Sequence, residues 1–444
     1  MNTHASNSLA RSTLLAYALP AIAMAMPVLP VYVLLPTFYA ENTALTLLTI
    51  GTVLFVARLV DVASDALAGS LCDRSPFGTT AALGRRRGWM LIGGIVLCPA
   101  LVMLFSPPSD ADVGWLFVSA ATLYLGWTFV QVPYLGWVSD LTPHYHERTR
   151  LSGTREALGL IGLVLSAAWP ALGAAMGMPV PDQFFWLAIA TCAVGIICFG
   201  WLFVKLPEPP AVSISRGRWR DMLQNRLWSK LVAAWCINGI ANGIPAVLFP
   251  LFITVVLGES IDARGTYLLI YFLAAVAAMP IVFALGKRLD KHKLWCYSML
   301  LACGVFALVP LLGEGDGHWF VLVCIATGAT LGADLALPPA LTADVVDWDR
   351  FRFRRESTAL CFAGGSLATK LALGIAVVLA PFLLSLNEWN DDAAKQSEHA
   401  ALALAMIYAW LPCVLKIGTI VLMWRYPLSA TRHSAIRKRL SRTG

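Results

Sequence analysis

Phe55-Val-Ala-Arg58-Leu-Val-Asp61-Val-Ala-Ser64-Asp65-Ala-Leu-Ala-Gly69 sets two acids and an arginine inside a run otherwise as apolar as a lipid tail. Asp61 and Asp65 are four residues apart, so a helix puts them on one face, with Arg58 about one turn earlier. A carboxylate at the centre of a lipid-facing helix costs roughly 2.5–3.5 kcal/mol on insertion scales. The pair therefore needs a polar cavity, a bound cation or a protein partner. A purely structural salt-bridge network through Arg58 is the competing reading of the same residues.

The rest of the chain agrees with a bilayer. Hydrophobic residues make up 58% of the 444 residues and charged ones 13%, with a mean hydropathy of +0.70. Soluble domains carry about 25% charge, and a membrane helix needs about 20 apolar residues. Twelve such segments are expected, at about 13–39, 44–71, 88–106, 113–138, 155–178, 183–205, 228–257, 264–286, 294–313, 319–343, 358–386 and 401–425. The organisation that follows is an N-terminal six-helix bundle (1–205), a basic linker (206–227), a C-terminal six-helix bundle (228–425) and a basic tail (426–444). The start of the chain lacks the basic region and cleavage site of a signal peptide. The ten cysteines fall mainly within apolar segments and read as small buried hydrophobes without disulfides.

The net charge of +7 is placed for a membrane and not for nucleic acid. Basic clusters at Arg85–Arg87, Arg148–Arg150, Arg216–Lys230, Lys287–Lys293, Arg350–Arg355 and Arg432–Arg442 all fall on one side if the segments alternate. The loops between carry acids such as Glu41, Asp110, Asp182, Glu259 and Glu314. The basic side is cytoplasmic, which puts both termini inside. The halves also echo each other. Pro30 to Pro36 in helix 1 has a counterpart in Pro245 to Pro250 of helix 7, and Gly69 to Arg74 in Gly286 to Lys291. Two repeated bundles around a midplane cavity are a transporter architecture. No P-loop, dinucleotide fingerprint or metalloprotease motif occurs, and no histidine falls deep in a span, so an enzyme is not expected.

Arg58-x-x-Asp61-x-x-x-Asp65-x-x-x-Gly69-x-x-x-Asp73-Arg74, followed by Gly84-Arg-Arg-Arg87-Gly-Trp89, resembles the second helix and next loop of the glycoside–pentoside–hexuronide:cation symporters. These form the melibiose-permease-like branch of the major facilitator superfamily. Ala343-Asp344-Val-Val-Asp347-Trp-Asp, Arg355-Glu356-Ser-Thr-Ala and Lys370 follow the same pattern in the second half. The resemblance implies the major facilitator fold and an inner-membrane secondary transporter working by alternating access as a monomer surrounded by lipid. The coupling ion is Na+ or H+ and there is no other cofactor. The cation site would comprise Asp61, Ser64, Asp65, Thr128 and Lys370, with Asp61 and Asp65 as the metal ligands if Na+ drives transport. Lys370 could alternatively pair with Asp334. The resemblance puts Arg155 at the start of helix 5 in the solute pocket. The polar residues near the expected cavity add Gln131, Tyr134, Asn238, Asn242, Asp334 and Ser366 as candidate solute contacts. Asp73, Arg74, Arg85, Arg86, Arg87, Glu147 and Arg148 read as a cytoplasmic gate, with Asp344, Asp347 and Glu356 as its counterpart.

The sequence departs from the family's sugar pocket. Helix 1 has no charged residue between Arg11 and Glu41, and Gln131 replaces the family's helix-4 acid. The expected cargo is a sugar, glycoside or hexuronide-like solute, or alternatively an amphipathic compound or lysophospholipid that is taken up or exported.

Overall fold

The computed structural model describes residues 11–71, 84–141, 145–206, 222–286, 288–354, 358–390 and 396–443. Among these residues it is all-helical, and twelve spans are long and apolar enough to cross a membrane. They are α1 (Arg11–Asn42), α2 (Leu47–Leu71), α3 (Arg85–Phe105), α4 (Val113–Leu141), α5 (Tyr145–Ala175) and α6 (Val180–Lys205). Then come α7 (Arg226–Val256), α8 (Ala263–Gly286), α9 (Lys291–Leu311), α10 (Gly317–Phe353), α11 (Thr358–Ser385) and α12 (Glu398–Met423). A shorter helix, α13 (Ala430–Thr443), closes the chain. Large apolar side chains such as Ile95, Val204 and Val421 remain exposed, as a protein solvated by lipid requires.

Three boundaries differ from the sequence expectation. Helix α5 begins ten residues earlier than 155, so Arg155 sits in its third turn and not at its start. The polar first turns, with His146, Arg148 and Arg150, are invisible to a hydropathy window but compatible with helix. Helix α10 runs ten residues past 343, through Pro338 and Pro339, and stops only where Arg354 turns left-handed at φ 53°. Asp344 and Asp347 are therefore helical. The basic tail carries α13, which is helical without being long or apolar enough to span a bilayer.

The proline-rich repeat has a structural counterpart. Helix α1 widens to a π-helical turn at Pro30–Leu34, and α7 does so at Phe252–Val256. Proline removes the backbone donor that would hold a regular turn, and a π turn absorbs the misfit.

Packing divides the chain into two units: Met1–Val31, Asn42–Leu45 and Val56–Ser213 form one, and Tyr32–Glu41, Thr46–Phe55 and Ile214–Gly444 the other. This division departs from the sequence halves in α1 and α2, whose Tyr32–Glu41 and Thr46–Phe55 segments pack in the second unit. Two contacts explain it. Arg264 forks onto both oxygens of Glu41 at 2.8 and 3.2 Å, with its Nε held by the Pro250 carbonyl at 3.2 Å. At Gly51 an added Cβ would come within 2.3 Å of the Val377 carbonyl oxygen, so α2 and α11 approach backbone to backbone there.

Within the first unit, α4 packs closely along α3. Gly126 permits this, since a Cβ there would meet the Leu97 backbone at 2.8 Å. That approach fixes the depth at which Thr128, two residues on, is presented. Tyr17 and Tyr134 stack with ring centroids 5.1 Å apart, and each hydroxyl donates to the other's backbone carbonyl, at 3.2 and 2.7 Å. This double clasp ties α1 to α4 in a buried layer containing Met90, Trp137 and Leu202. In the second unit Asn225 caps α7, accepting from the Leu227 and Trp228 backbone amides, and donates to Asp349 at 2.9 Å.

Candidate functional site

Asp61 and Thr128 are almost fully buried, 1% and 0% exposed, and Asp65 is half-buried. The Thr128 hydroxyl lies 3.0 Å from Asp61 Oδ1 and 2.9 Å from Asp65 Oδ1, so α4 delivers it between the two acids of α2. A hydroxyl has one proton. It donates to one carboxylate at a time, and a proton on the other carboxyl or a cation among the oxygens would satisfy the second contact. Two carboxylates and a hydroxyl are hard oxygen donors, the kind that a hard cation or a proton takes.

Arg58 Nη1 sits 2.7 Å from Asp61 Oδ2, and its guanidinium lies 3.8 Å from the Tyr124 ring centroid. The planar fork stacks on the ring while pairing the acid, a geometry a lysine would not reproduce. Arg58 engages one oxygen of Asp61, and Thr128 engages the other, so the salt bridge and a cation site on the same acid do not exclude each other. Ser64 stands apart from the carboxylates, because its hydroxyl donates to the Asp61 backbone carbonyl at 2.8 Å, as membrane serines often do.

The remaining candidates of the first unit are bonded to residues outside the acid pair. Gln131 lies one turn beyond Thr128 on α4, its Oε1 accepting from Trp127 Nε1 at 2.8 Å. Tyr134 belongs to the clasp with Tyr17, and Arg155 is paired with its neighbour Glu156.

In the second unit Asn238, Asn242 and Asp334 come together around a lysine that sequence reading passed over. Lys416 Nζ, on α12, donates to Asn238 Oδ1 at 2.9 Å and Asn242 Oδ1 at 2.7 Å, and lies 3.5 Å from Asp334 Oδ2. Asn242 Nδ2 donates to Asp334 Oδ2 at 2.8 Å, and Trp295 Nε1 to Asp334 Oδ1 at 2.6 Å. Asp334 is therefore taken by Lys416 and not by Lys370. These three candidate solute contacts are spent on one another, joining α7, α9, α10 and α12. The signal that could have found Lys416 is the one used for Asp61: a lone charge in an apolar span, at Cys413-Val-Leu-Lys416-Ile. On α11, Ser366 is exposed and Lys370 half-buried.

Of the gate candidates, Arg86 Nη1 donates to the Pro133 carbonyl at 3.1 Å and Arg87 to the Leu206 carbonyl, which ties the start of α3 to α4 and to the end of α6. Asp344 accepts from Lys291 at 2.7 and 2.8 Å, and Asp347 faces His433 at 2.8 Å. Asp73, Arg74 and Glu356, and the side chains of Arg85, Glu147 and Arg148, lie outside the described residues. The nine cysteines among the described residues are free thiols.

Residues 16–430 match the family described as MFS/sugar transport protein. The chain is 24% identical to the inner membrane symporter YicJ of Escherichia coli K12, over 89% of this chain and 87% of that protein. It is 23% identical to the glucuronide carrier protein homolog of the same organism, over 90% and 89% of the two chains. The crystal structure of a D-xylose–proton symporter aligns with 94% of this chain and 98% of its own at a TM-score of 0.71 and 13% identity, a likeness of fold. The chain belongs to the MFS sugar-transport family, in its glycoside–pentoside–hexuronide:cation symporter branch, and is a multi-pass inner-membrane protein.

Proposed function

We propose that this protein is a secondary active symporter that carries a sugar, glycoside or hexuronide-like solute together with Na+ or H+ by alternating access. The observation that carries this reading is the single Thr128 hydroxyl facing two intramembrane carboxylates at 3.0 and 2.9 Å. Asp61, Asp65 and Thr128 bind the coupling ion, and Arg58 orients Asp61. Gln131 and Arg155 serve the solute side, Tyr134 ties α4 to α1 through its clasp with Tyr17, and Asn238, Asn242, Asp334 and Lys416 hold the second unit together. The two termini lie in the cytoplasm, on the side of the basic loops, and the protein works as a monomer without any cofactor beyond the ion.

The coupling follows from linkage: if the ion raises solute affinity by some factor, the solute raises ion affinity by the same factor. An empty site leaves carboxylates without their cation in a low-dielectric surrounding, which disfavours solute binding or re-orientation. A neutralised site removes that penalty. In proteoliposomes, accumulation driven by a Na+ or H+ gradient is expected to vanish in the double variant Asp61→Asn/Asp65→Asn while the protein stays folded. Undiminished gradient-driven accumulation by that variant would refute the assignment. Thermal-shift screening against sugars, uronides and lysolipids, each with and without Na+, names cargo and ion together, since a ligand stabilises by its occupancy of the folded state. Lysolipid stabilisation with no response to sugars or uronides would move the cargo to the amphipathic class.

A further inference from the structure

Four cysteines form two pairs, and the pairs occupy corresponding places along the chain. Cys98 of α3 meets Cys192 of α6, and Cys303 of α9 meets Cys413 of α12, the third and sixth spans of each successive six. Each pair lies within one unit. The Cys192 thiol donates to the Cys98 carbonyl at 3.8 Å. The other pair is reciprocal: Cys303 Sγ lies 3.8 Å from the Cys413 carbonyl, and Cys413 Sγ 3.7 Å from the Cys303 carbonyl. In both pairs the two thiols are also in hydrogen-bond contact with each other. A thiol that touches both the sulfur and the backbone of its partner belongs to helices packed within a side chain's length, which is the approach a disulfide needs.

Both pairs open toward lipid. All four cysteines are half-buried and sit near the middle of their spans, whereas Cys198, Cys296, Cys324 and Cys361 are buried. Three residues before each paired cysteine, and so on its own helix face, stands a large exposed apolar side chain: Ile95, Ile189, Leu300 and Trp410. Ile196 and Ile417, four residues beyond Cys192 and Cys413, are exposed as well. The thiols therefore lie along apolar seams that a lipid-soluble reagent reaches and a hydrophilic one does not.

Two adjacent thiols can hold a soft metal ion or close a disulfide. A monovalent soft cation between two thiolates leaves a net negative charge inside an apolar span, which is costly there. A disulfide leaves no charge. We propose that Cys98–Cys192 and Cys303–Cys413 are disulfide-forming sites oxidised from the lipid phase by a quinone. In the step each thiol gives up its hydrogen and the sulfur–sulfur bond forms. The two electrons and two protons pass to the quinone, which leaves as the quinol. Glutathione and other hydrophilic thiols stay out of the seam, so the bond is shielded from the pool that keeps cytosolic cysteines reduced. One link ties α3 to α6 and the other α9 to α12. The second falls one turn from Lys416, whose network already includes Trp295 of α9. These sites stand on packing within each unit and are independent of the transport reading.

The test takes full-length reduced protein in nanodiscs and incubates it with decylubiquinone or, separately, with oxidised glutathione. Unfolding in an alkylating agent, followed by peptide mapping, then reports which of the ten cysteines remain free. After the quinone, Cys98, Cys192, Cys303 and Cys413 are expected to escape alkylation and to appear as two linked peptides, each lighter by two hydrogens than its reduced parts. Their loss should be about tenfold faster than with oxidised glutathione, since exchange depends on access to the sulfur. Cys98→Ser should leave Cys192 open to alkylation and the Cys303–Cys413 link intact, and Cys303→Ser should do the converse. The absence of either link, links to other cysteines, or oxidation by glutathione at the quinone's rate would overturn the proposal. A melting temperature for each variant within a few degrees of wild type keeps misfolding out of the reading.

Discussion

Two buried charge clusters, one in each unit, look alike in sequence and differ in chemistry. Asp334 and Lys416 are 8% and 4% exposed in their side chains, and their own charged groups are fully engaged. Lys416 has three acceptors for its three protons, and both oxygens of Asp334 receive a donor. Around Asp61 and Asp65 a single Thr128 hydroxyl brings its one proton to two carboxylate contacts, the arrangement on which the proposed ion or proton site rests. The first cluster ties four helices of its unit together, and the second is the one proposed to bind an ion. Intramembrane charge alone does not separate these cases; the groups each charge meets are what differ.

The sharpest way to break this comparison is to strip one charge from the saturated cluster. Lys416→Met leaves Asp334 buried without its cation and should cost about 3–5 kcal/mol, read as a large fall in melting temperature and yield. Adding Asp334→Leu should recover most of that loss, because an apolar replacement of the whole pair removes both desolvation penalties. If the double variant is no better than the single, the pair is not the unit that matters. Trp295→Phe comes next. It removes one donor to a charged acceptor, about 1.5–3 kcal/mol, and the remaining response to cation should be unchanged. Thr128→Val has the smallest effect on stability and a specific one on function. It should weaken cation affinity about tenfold, read as a rightward shift of cation-dependent stabilisation, with solute binding at saturating cation preserved. A Thr128→Val protein with full cation affinity would put Thr128 with the backbone-bonding residues, beside Ser64.

Much of this was legible in the chain. Asp61, Asp65 and Thr128 were readable because a fourfold spacing on one helix and a family pattern both point to one site. What misled was treating polar residues near an expected cavity as solute contacts. Asn238 and Asn242 are four apart and share a face, which is readable. That the face meets Lys416 from α12, 174 residues away in the case of Asn242, is not. Ser64 fails for the opposite reason: its hydroxyl finds a carbonyl within its own helix, a local competition that a motif match does not weigh. The arginines at 86 and 87 lie where a basic loop predicts a gate, yet they spend donors on the carbonyls of Pro133 and Leu206. The start of α5 and the end of α10 were missed because hydropathy registers lipid contact and is blind to helix that continues into water.

By itself the sequence determined the twelve spans, the prolines of α1 and α7, and the acid pair of α2. These depend on apolar run length, on local backbone chemistry and on the period of a helix, all short-range properties. Only the tertiary structure decided which charges meet. It sent Asp334 to Lys416 and brought Arg58 against Tyr124. It also held Glu41 of α1 against Arg264 and placed His433 between Asp344 and Asp347. The physical reason is that a buried charge takes its partner from whichever helix packing brings within about 4 Å, and packing is settled by close approaches such as Gly51 on Val377 and Gly126 on Leu97.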